Sequence, residues 1–278
     1  MADIPPPTTL RLDGLGESSG VPIGVFGQEF NGPNQASSHQ ETQVKALKAL
    51  IHYFGRRYVS RVCRSEYKDQ RFRRINERPV EYRFVFQCVA QLTPTTVLDV
   101  GTGTSALPNL LRTCGPVVTA IDNIKDYWPN GIHNRCFHII NDDITQSQLP
   151  DKYELITCVS VLEHIIAHRE AVKSMVRLLA PGGCIALTFP YNENTCIDNI
   201  YRHPQAGYGQ DLPYPCHVFS RACIDDWLCH TNAQVIAQEY WQIFTGDFWT
   251  CGKRLQRPFQ VDASKKHQLT CLLLQKTN

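Results

Sequence analysis

The stretch from residue 96 to residue 122 decides the fold: Thr96-Val-Leu-Asp-Val-Gly-Thr-Gly-Thr-Ser-Ala-Leu-Pro108, continuing to Ala120-Ile-Asp122. Val97 to Val100 is a short apolar run with β-branched residues, the pattern of a buried parallel strand. Gly101 and Gly103 follow, and glycines let the backbone turn sharply and a ligand approach closely. Residues 105–113 resume a helical spacing, so the loop brings its backbone N–H groups to a helix start. This order of elements predicts a ligand-binding turn between a strand and a helix.

A second apolar run, residues 117–121, predicts the next strand, and it ends at Asp122. This acid lies 19 residues beyond Gly103. In a Rossmann-type unit an acid at about this distance holds the two hydroxyls of a ribose. The sequence therefore predicts a nucleoside-binding half-site.

The charge of Asp99 indicates which nucleoside binds. Residues 101–106 also fit the dinucleotide pattern G-x-G-x-x-G/A. However, a carboxylate two residues before the first glycine would face a pyrophosphate, and like charges in a partly desolvated loop repel by several kcal/mol. S-adenosylmethionine presents an ammonium and a sulfonium there instead, which the carboxylate attracts. The sequence Asp99-x-Gly101-x-Gly103 thus favours S-adenosylmethionine over a nicotinamide dinucleotide.

These motifs resemble motifs I and II of the class I S-adenosylmethionine-dependent methyltransferases, and the likeness continues over about residues 78–190 and more loosely to the C-terminus. The resemblance implies that Asp99, Gly101, Thr102 and Gly103 line the methionine end of the cofactor. It also implies that Asp122, with Asn123 beside it, holds the ribose. Ser105 departs from the pattern, because relatives often have a third glycine there. The implied fold is α/β: a Rossmann-like, doubly wound, seven-stranded sheet with an antiparallel last strand, preceded by a helical cap.

Two further acids follow a predicted third strand at residues 136–140. In a doubly wound sheet this turn lies at the carboxyl edge, beside the base of the nucleoside. By resemblance Asp143, followed by apolar Ile144, is the better candidate to accept the adenine amino group, and Asp142 is the second. The sequence shows no structural reason for either acid, which favours a binding role.

The end of the predicted fourth strand, residues 153–159, gives Ser160-Val-Leu-Glu-His164. Ser160 and Val161 are expected nearest the methyl group. Glu163-His164 resembles a signature of many small-molecule methyltransferases, and a histidine with a pKa of about 6.5 can take a proton from an attacking hydroxyl at neutral pH. His217 is a second candidate base. The alternative is a buried hydrogen bond between Glu163 and His164 that only fixes the loop.

A metal site is an alternative interpretation of the same residues. The small-RNA terminal 2′-O-methyltransferases bind a metal through Glu-x-x-Glu-His and a distant histidine, which Glu163, His164 and His217 match in outline. His164 and His168 also have the i, i+4 spacing of a metal-binding helix. Ser160 stands where the first glutamate would be, so we predict no metal.

The composition of the chain argues against several classes of protein. The chain has 278 residues, 42% hydrophobic content and a formal charge of +2, so no overall field demands nucleic acid or membrane. It contains neither an apolar run of transmembrane length nor a signal-peptide pattern, and we expect a soluble cytoplasmic protein without a membrane partner. The twelve cysteines include no Cys-x-x-Cys pair, which favours free thiols over zinc sites or disulfides.

Three parts are predicted along the chain. Residues 1–40 are rich in Pro, Gly and Ser and predict a flexible arm. Residues 41–93 predict a helical cap, with helices at about 41–74 and 80–92. Residues 94–278 form the core, with a helix at 169–179, strands at 184–189, 234–244 and 269–275, and a long irregular loop at 190–218. That loop should cover the pocket mouth, where its tyrosines form an aromatic wall or simply pack onto the sheet.

Residues 56–83 carry ten basic and four acidic side chains, a local charge of +6. This cluster could bind an anionic group of the substrate or RNA, or it could be a solvated helix face. No RNA-stacking motif accompanies it.

The expected activity is transfer of a methyl group from S-adenosylmethionine to a hydroxyl or amine of a small molecule or saccharide, with nucleic acid not favoured as a partner. The alternative is an RNA methyltransferase that uses residues 56–83. A non-catalytic cofactor-binding regulator is disfavoured, because the glycine loop, the acids and the pocket residues occur together. The oligomeric state stays open.

Overall fold

The computed structural model describes residues 37–68, 76–123 and 134–277. The chain divides into two units between residues 72 and 73. The described part of the first unit is one long helix, α1, Ser37–Lys68. The predicted arm falls outside the described residues up to residue 36, and so do residues 69–74 of the predicted first helix.

The second unit alternates strands and helices as predicted. Its helices are α2 (Arg78–Leu92), α3 (Leu107–Thr113), α4 (His168–Leu178) and α5 (Arg221–Cys229). Its strands are β1 (Thr96–Val100), β2 (Val117–Asp122), β3 (Ile140–Asn141), β4 (Tyr153–Val159), β5 (Leu179–Pro190), β6 (Ala233–Phe244), β7 (Arg254–Val261) and β8 (Leu269–Lys276). Short 3-10 turns lie at Ile144–Gln146, Leu162–His164 and Ile200–Arg202.

The strands form one sheet with the order β3-β2-β1-β4-β5-β8-β6-β7. Strands β1 to β5 pair in parallel, and β8 pairs antiparallel with both β5 and β6. The chain winds outward from β1 through β2 to β3, then returns to the other side of β1 for β4. This reversal opens a crevice at the carboxyl ends of β1 and β4, where ligands bind in open α/β sheets. The predicted Rossmann-like, doubly wound fold is confirmed.

Three boundaries differ from the predictions. The sheet has eight strands rather than seven, because β7 lies in the connection 245–268 that the sequence left unassigned. The third strand is shorter than 136–140: Asn134 Oδ1 accepts the N–H groups of Cys136 and Phe137, at 2.8 Å each, so those donors serve a turn instead of the sheet. Residues 181–183, predicted as a helix stop, form an irregular start of β5, where the pairing with β4 shifts register.

Two apolar layers enclose the sheet. One joins α2 and α3 to one face, with Phe84, Val85 and Leu111 among its buried side chains. The other joins α4 and α5 to the opposite face and includes Met175 and Trp227. Buried polar side chains in the second unit include Asp99 of β1 and Thr157 of β4, near the strand ends where the crevice opens.

No helix among the described residues is both long and apolar enough to cross a membrane. All twelve cysteines lie within the described residues and are free thiols. Six of them are buried, and these pack as small apolar side chains.

Candidate active site

The glycine loop follows directly from β1. Gly101 has a φ of +72° and Gly103 a φ of +54°, the left-handed region that favours glycine. A Cβ at position 101 would lie 2.3 Å from Cγ1 of Val161, so side chains are excluded there for lack of space as well. The N–H of Gly101 donates to the carbonyl of Ile121 at 2.9 Å, which fixes the loop against the end of β2.

Asp99 is buried, only 2% exposed, at the end of β1. Thr157 of β4 donates to one of its carboxylate oxygens at 2.6 Å, and Thr102 of the loop donates to the other at 2.7 Å. Burial raises the pKa of Asp99 to about 6, against the lowering effect of the two hydroxyl donors. The carboxylate is therefore charged at neutral pH, although burial disfavours the charge, and it joins the loop to the neighbouring strand.

Asp122, at the end of β2, accepts the N–H of Gly103 at 2.7 Å. One of the loop donors that the sequence assigned to a ligand is thus bound by the protein. The acid predicted to hold a ribose also sets the position of the glycine loop beside it.

Asp142 and Asp143 have structural partners that the sequence did not reveal. Asp143 Oδ1 accepts from the backbone N–H of Thr145 at 2.9 Å and from its hydroxyl at 2.8 Å, which caps the 3-10 turn. Asp142 accepts from the Ser147 hydroxyl. The expectation that neither acid has a structural role was wrong, because these hydrogen bonds fix the orientation of both carboxylates.

Ser160, at the end of β4, has a φ of +51°, which is uncommon outside glycine. Its N–H donates to the carbonyl of Thr188 at 3.0 Å, and its hydroxyl donates to Glu81 of α2 at 2.5 Å. Glu81 is fully buried and also accepts from Arg78 at 3.0 Å and from the Thr188 hydroxyl at 2.9 Å. These contacts hold an unfavourable backbone conformation beside the crevice.

His164 is half-buried, and its Nδ1 lies 2.7 Å from the carbonyl oxygen of Pro215. A carbonyl only accepts, so Nδ1 carries the proton and Nε2 presents a lone pair. Burial lowers the pKa of His164, which keeps the ring neutral at neutral pH. The side chain therefore has the tautomer and the charge state of a general base.

Glu163 and His217 do not line the crevice. Glu163 is 3% exposed, its Oε1 lies 4.0 Å from His164 Nε2, and burial raises the pKa of its carboxyl to about 8. The distance is too long for a hydrogen bond, so the alternative of a Glu–His hydrogen bond is not present. The ring of His217 stacks on Phe219 with a centroid distance of 5.5 Å, and burial lowers its pKa. Both residues thus lie outside the cavity lining, although they were predicted to act beside His164.

Together these elements enclose a cavity of about 600 Å³. All ten residues predicted to bind the cofactor line it, and so does His164. The ten are Asp99, Gly101, Thr102, Gly103, Asp122, Asn123, Asp142, Asp143, Ile144 and Ser160. A cavity of this size with a few convergent polar groups is typical of cofactor sites.

Sequence reasoning assigned no individual role to three further residues of the lining, Arg78, Tyr82 and Tyr214. Arg78 and Tyr82 are one turn apart on α2, with Glu81 between them on the same face. The sequence contains a signal for this part of the lining, because the charged residues Arg78 and Glu81 interrupt one face of an otherwise apolar helix. Tyr214 is the part of the predicted aromatic wall that lines the cavity, whereas Tyr191 and Tyr201 are buried in the core.

Comparison with known sequences assigns the chain to a family. The sequence model of a family described as a methyltransferase domain matches residues 57–238, more than half of the chain. The chain belongs to this methyltransferase family. The resemblance to the class I S-adenosylmethionine-dependent methyltransferases is thereby confirmed.

Individual relatives are distant. The ubiquinone biosynthesis O-methyltransferase of Aeromonas salmonicida is 26% identical over 139 residues, 46% of this chain and 52% of the relative. The mitochondrial ubiquinone biosynthesis O-methyltransferase of Schizosaccharomyces pombe is 28% identical over 100 residues, 33% of this chain and 36% of the relative. The matches thus span about half or less of these curated methyltransferases.

Among solved structures, a chain of the complex between the Haloferax volcanii Trm112 methyltransferase activator and its methyltransferase is similar, with a TM-score of 0.51 and 14% identity. The match covers 73% of this chain and 92% of that one. At this identity the likeness supports the methyltransferase fold alone.

Proposed function

We propose that the cavity binds S-adenosylmethionine and that this methyltransferase moves its methyl group to a hydroxyl, or an amine, of a small molecule or saccharide. The observation that carries the proposal is that acidic groups suited to the cofactor and a neutral histidine line one cavity. Asp99 lies at the glycine loop and Asp122 at the end of the next strand, the places where a cationic amino acid end and a ribose would meet the sheet.

Arg78 adds a partner for the one anionic group of the cofactor. Its guanidinium lies in the cavity lining, 3.0 Å from Glu81 and 3.2 Å from the carbonyl oxygen of Val159. Arginine presents five N–H donors in a planar fork, so two contacts to the protein leave donors for a carboxylate. We infer that Arg78 binds the cofactor's carboxylate while Asp99 attracts its ammonium.

We infer that the acceptor binds beside His164, where Ile165, Ile166 and Tyr214 line the cavity. The aromatic ring of Tyr214 packs edge-on against the imidazole, with centroids 4.8 Å apart. Such a lining suits a flat or apolar acceptor that carries one reactive hydroxyl. His164 Nε2 would take the proton of that hydroxyl as the oxygen attacks the methyl group.

The sulfonium is already activated, so the protein mainly has to align the two reactants and exclude water. Effective molarities on the order of 10⁵ to 10⁸ M are available from alignment alone. Ser160 and Val161 lie at the carboxyl end of β4, and the hydrogen bonds of Ser160 to Thr188 and Glu81 keep that edge fixed. A rigid edge next to the methyl group is what in-line displacement requires.

The test of the base is His164→Asn. The amide Nδ2 of asparagine can still donate to the carbonyl of Pro215, so the local fold is preserved, but the variant has no basic nitrogen. We expect cofactor binding by calorimetry to stay within about twofold and turnover to fall about 10²- to 10⁴-fold. Turnover of the parent should rise with pH through an inflection below 6.5, because burial lowers the pKa of His164. Unchanged turnover in the variant would reject His164 as the base.

The test of the acceptor class is transfer of label from radiolabelled S-adenosylmethionine into cell extract, separated into small molecules, RNA and protein. Label in the small-molecule fraction, lost with His164→Asn, supports the proposal. Label in RNA would favour the alternative that the basic residues 56–83 suggest.

A further inference from the structure

Helix α1 presents an exposed apolar stripe. Its members recur at intervals of three and four residues, so they lie along one face of the helix. Leu47, Ile51 and Phe54 are 58%, 62% and 60% exposed. The complete stripe is Val44, Leu47, Leu50, Ile51, Phe54 and Tyr58, all exposed. This is a contiguous apolar strip about four turns long, which marks an interaction surface rather than scattered surface residues.

Basic side chains follow both edges of this stripe. The helix carries seven lysines and arginines and two glutamates, a charge of +5, whereas the whole chain has only +2. At 100° per residue, Lys48 borders the stripe on one side, and Arg57 and Arg64 border it on the other. Arg61 and Lys68 lie in line with the stripe beyond Tyr58, and Lys45 and Arg56 lie on the opposite face. An apolar strip bordered on both sides by long cationic side chains is the pattern of a helix that lies in a lipid interface.

We propose that α1 binds an anionic lipid surface, with its apolar stripe in the acyl boundary and its basic edges against the lipid headgroups. The aromatic residues support this orientation. Tyr58 lies in the stripe, and Tyr53 accepts a hydrogen bond from Arg57 at 2.9 Å, so an amphipathic ring and a cation share the helix flank. Tyrosine is enriched at membrane–water interfaces because one end is apolar and the other polar.

The charge of α1 argues against two other binding partners for the apolar stripe. A second copy of the chain would bring a helix of charge +5 against another of the same charge. RNA would neutralise the basic edges but would leave six apolar side chains in water. An anionic lipid surface satisfies both features. This departs from the expectation, based on the low overall charge, that the chain has no membrane partner.

The experiment is cosedimentation of the full chain with two kinds of vesicle, phosphatidylcholine alone and phosphatidylcholine with about one-third phosphatidylserine. We expect at least about tenfold stronger binding to the anionic vesicles, weakened by high salt. Failure to sediment with the anionic vesicles would overturn the proposal.

Two matched double variants test the stripe. Leu47→Ser with Phe54→Ser removes two large apolar groups from its centre, and we expect binding to fall at least about tenfold. Ala49→Ser with Cys63→Ser places the same two serines on the exposed opposite face, and binding should stay within about twofold. Equal losses in the two variants would overturn the proposal.

Measurements on the same variants without lipid distinguish the other binding partners of the stripe. Self-association lost only with the Leu47 and Phe54 pair would assign the stripe to a second copy. Lower thermal stability with that pair alone would assign it to the chain's own interior. Retention of single-stranded RNA, undiminished by that pair, without any vesicle binding would assign the helix to nucleic acid. The proposal does not rest on the methyl-transfer reaction, so cofactor calorimetry is expected to be unchanged in both pairs.

Discussion

The carboxylate of Asp99 should cost stability and provide cofactor affinity, and Asp99→Asn separates these effects. Burial raises its pKa from 3.8 to about 6, a difference of about 2 units, or about 3 kcal/mol at 1.36 kcal/mol per unit. Because the folded state holds this proton more tightly than the unfolded state, the stabilisation from protonation is complete below pH 3.8. It is lost as the pH rises through 6.

At pH 8 asparagine therefore avoids a cost of about 3 kcal/mol. It can still accept one hydroxyl and donate to the other if Thr102 or Thr157 rotates, and we allow about 1 kcal/mol for imperfect geometry. The expected gain is about 2 kcal/mol, or roughly 4 to 8 °C in the melting temperature. The measurement is thermal unfolding of cofactor-free protein at pH 8, with Asp151→Asn, an exposed acid outside the cavity lining, as the control.

Asp99→Asn should lower the affinity for the cofactor, although it raises the stability of the fold. If only the ionised carboxylate attracts the ammonium, the dissociation constant of the parent rises about tenfold between pH 8 and pH 5, one unit below the pKa of about 6. Asp99→Asn should bind at least about tenfold more weakly at pH 8 and show no such slope. Calorimetry measures both. Equal affinity of variant and parent at pH 8, or a flat pH profile in the parent, would refute the electrostatic reasoning that selected S-adenosylmethionine.

Two further substitutions test the framework of the site. Gly101→Ala should lower the free energy of unfolding by about 2 to 4 kcal/mol in denaturant, because a Cβ would lie 2.3 Å from Val161 at a φ of +72°. Val161→Ala in that background should recover only part of the loss, because Cβ of residue 161 would still lie 2.9 Å away and the φ is unchanged; full recovery would show that the backbone is unstrained. Trp227 Nε1 donates to His168 Nδ1 at 3.0 Å, and burial lowers the pKa of His168 to about 4. The stability this histidine contributes is present above pH 6.5 and is lost as the pH falls through 4, so His168→Asn, which accepts the same bond without titrating, should unfold at lower pH than the parent. Coincident acid-unfolding curves would contradict this.

The local part of the site was predictable from the sequence. The spacing from β1 through Gly101 and Gly103 to Asp122 is contained within one crossover, so periodicity and glycine placement were enough to assign it. Strand ends were predictable too, because parallel strands expose their carboxyl ends at one edge. These rules brought Asp142, Asp143 and Ser160 to the cavity lining without knowledge of their hydrogen bonds.

The missed features all depend on partners distant in sequence. Asn134 Nδ2 donates to the carbonyls of Gly103 and Ser105, at 2.9 and 2.8 Å, across about 30 residues. β7 was missed because it alternates weakly and pairs only with β6 at the sheet edge. Glu163 and His217 were placed in the cavity because adjacency to His164 in the sequence, or histidine chemistry, says nothing about which way a 3-10 turn directs a side chain.

The strained residue Ser160 shows how such long-range contacts fix the cavity lining. A left-handed conformation outside glycine costs on the order of 1 kcal/mol or more and would relax unless several contacts opposed it. Here the opposing contacts come from β5 through Thr188 and from α2 through Glu81, 28 and 79 residues away. Because Arg78 shares the Glu81 carboxylate with Ser160, a single buried acid fixes both the residue proposed to bind the cofactor's carboxylate and the residue proposed to lie beside its methyl group. In the proposed complex the position of the reacting methyl would therefore depend on how α2 packs on the sheet, which the motifs around Gly101 do not encode.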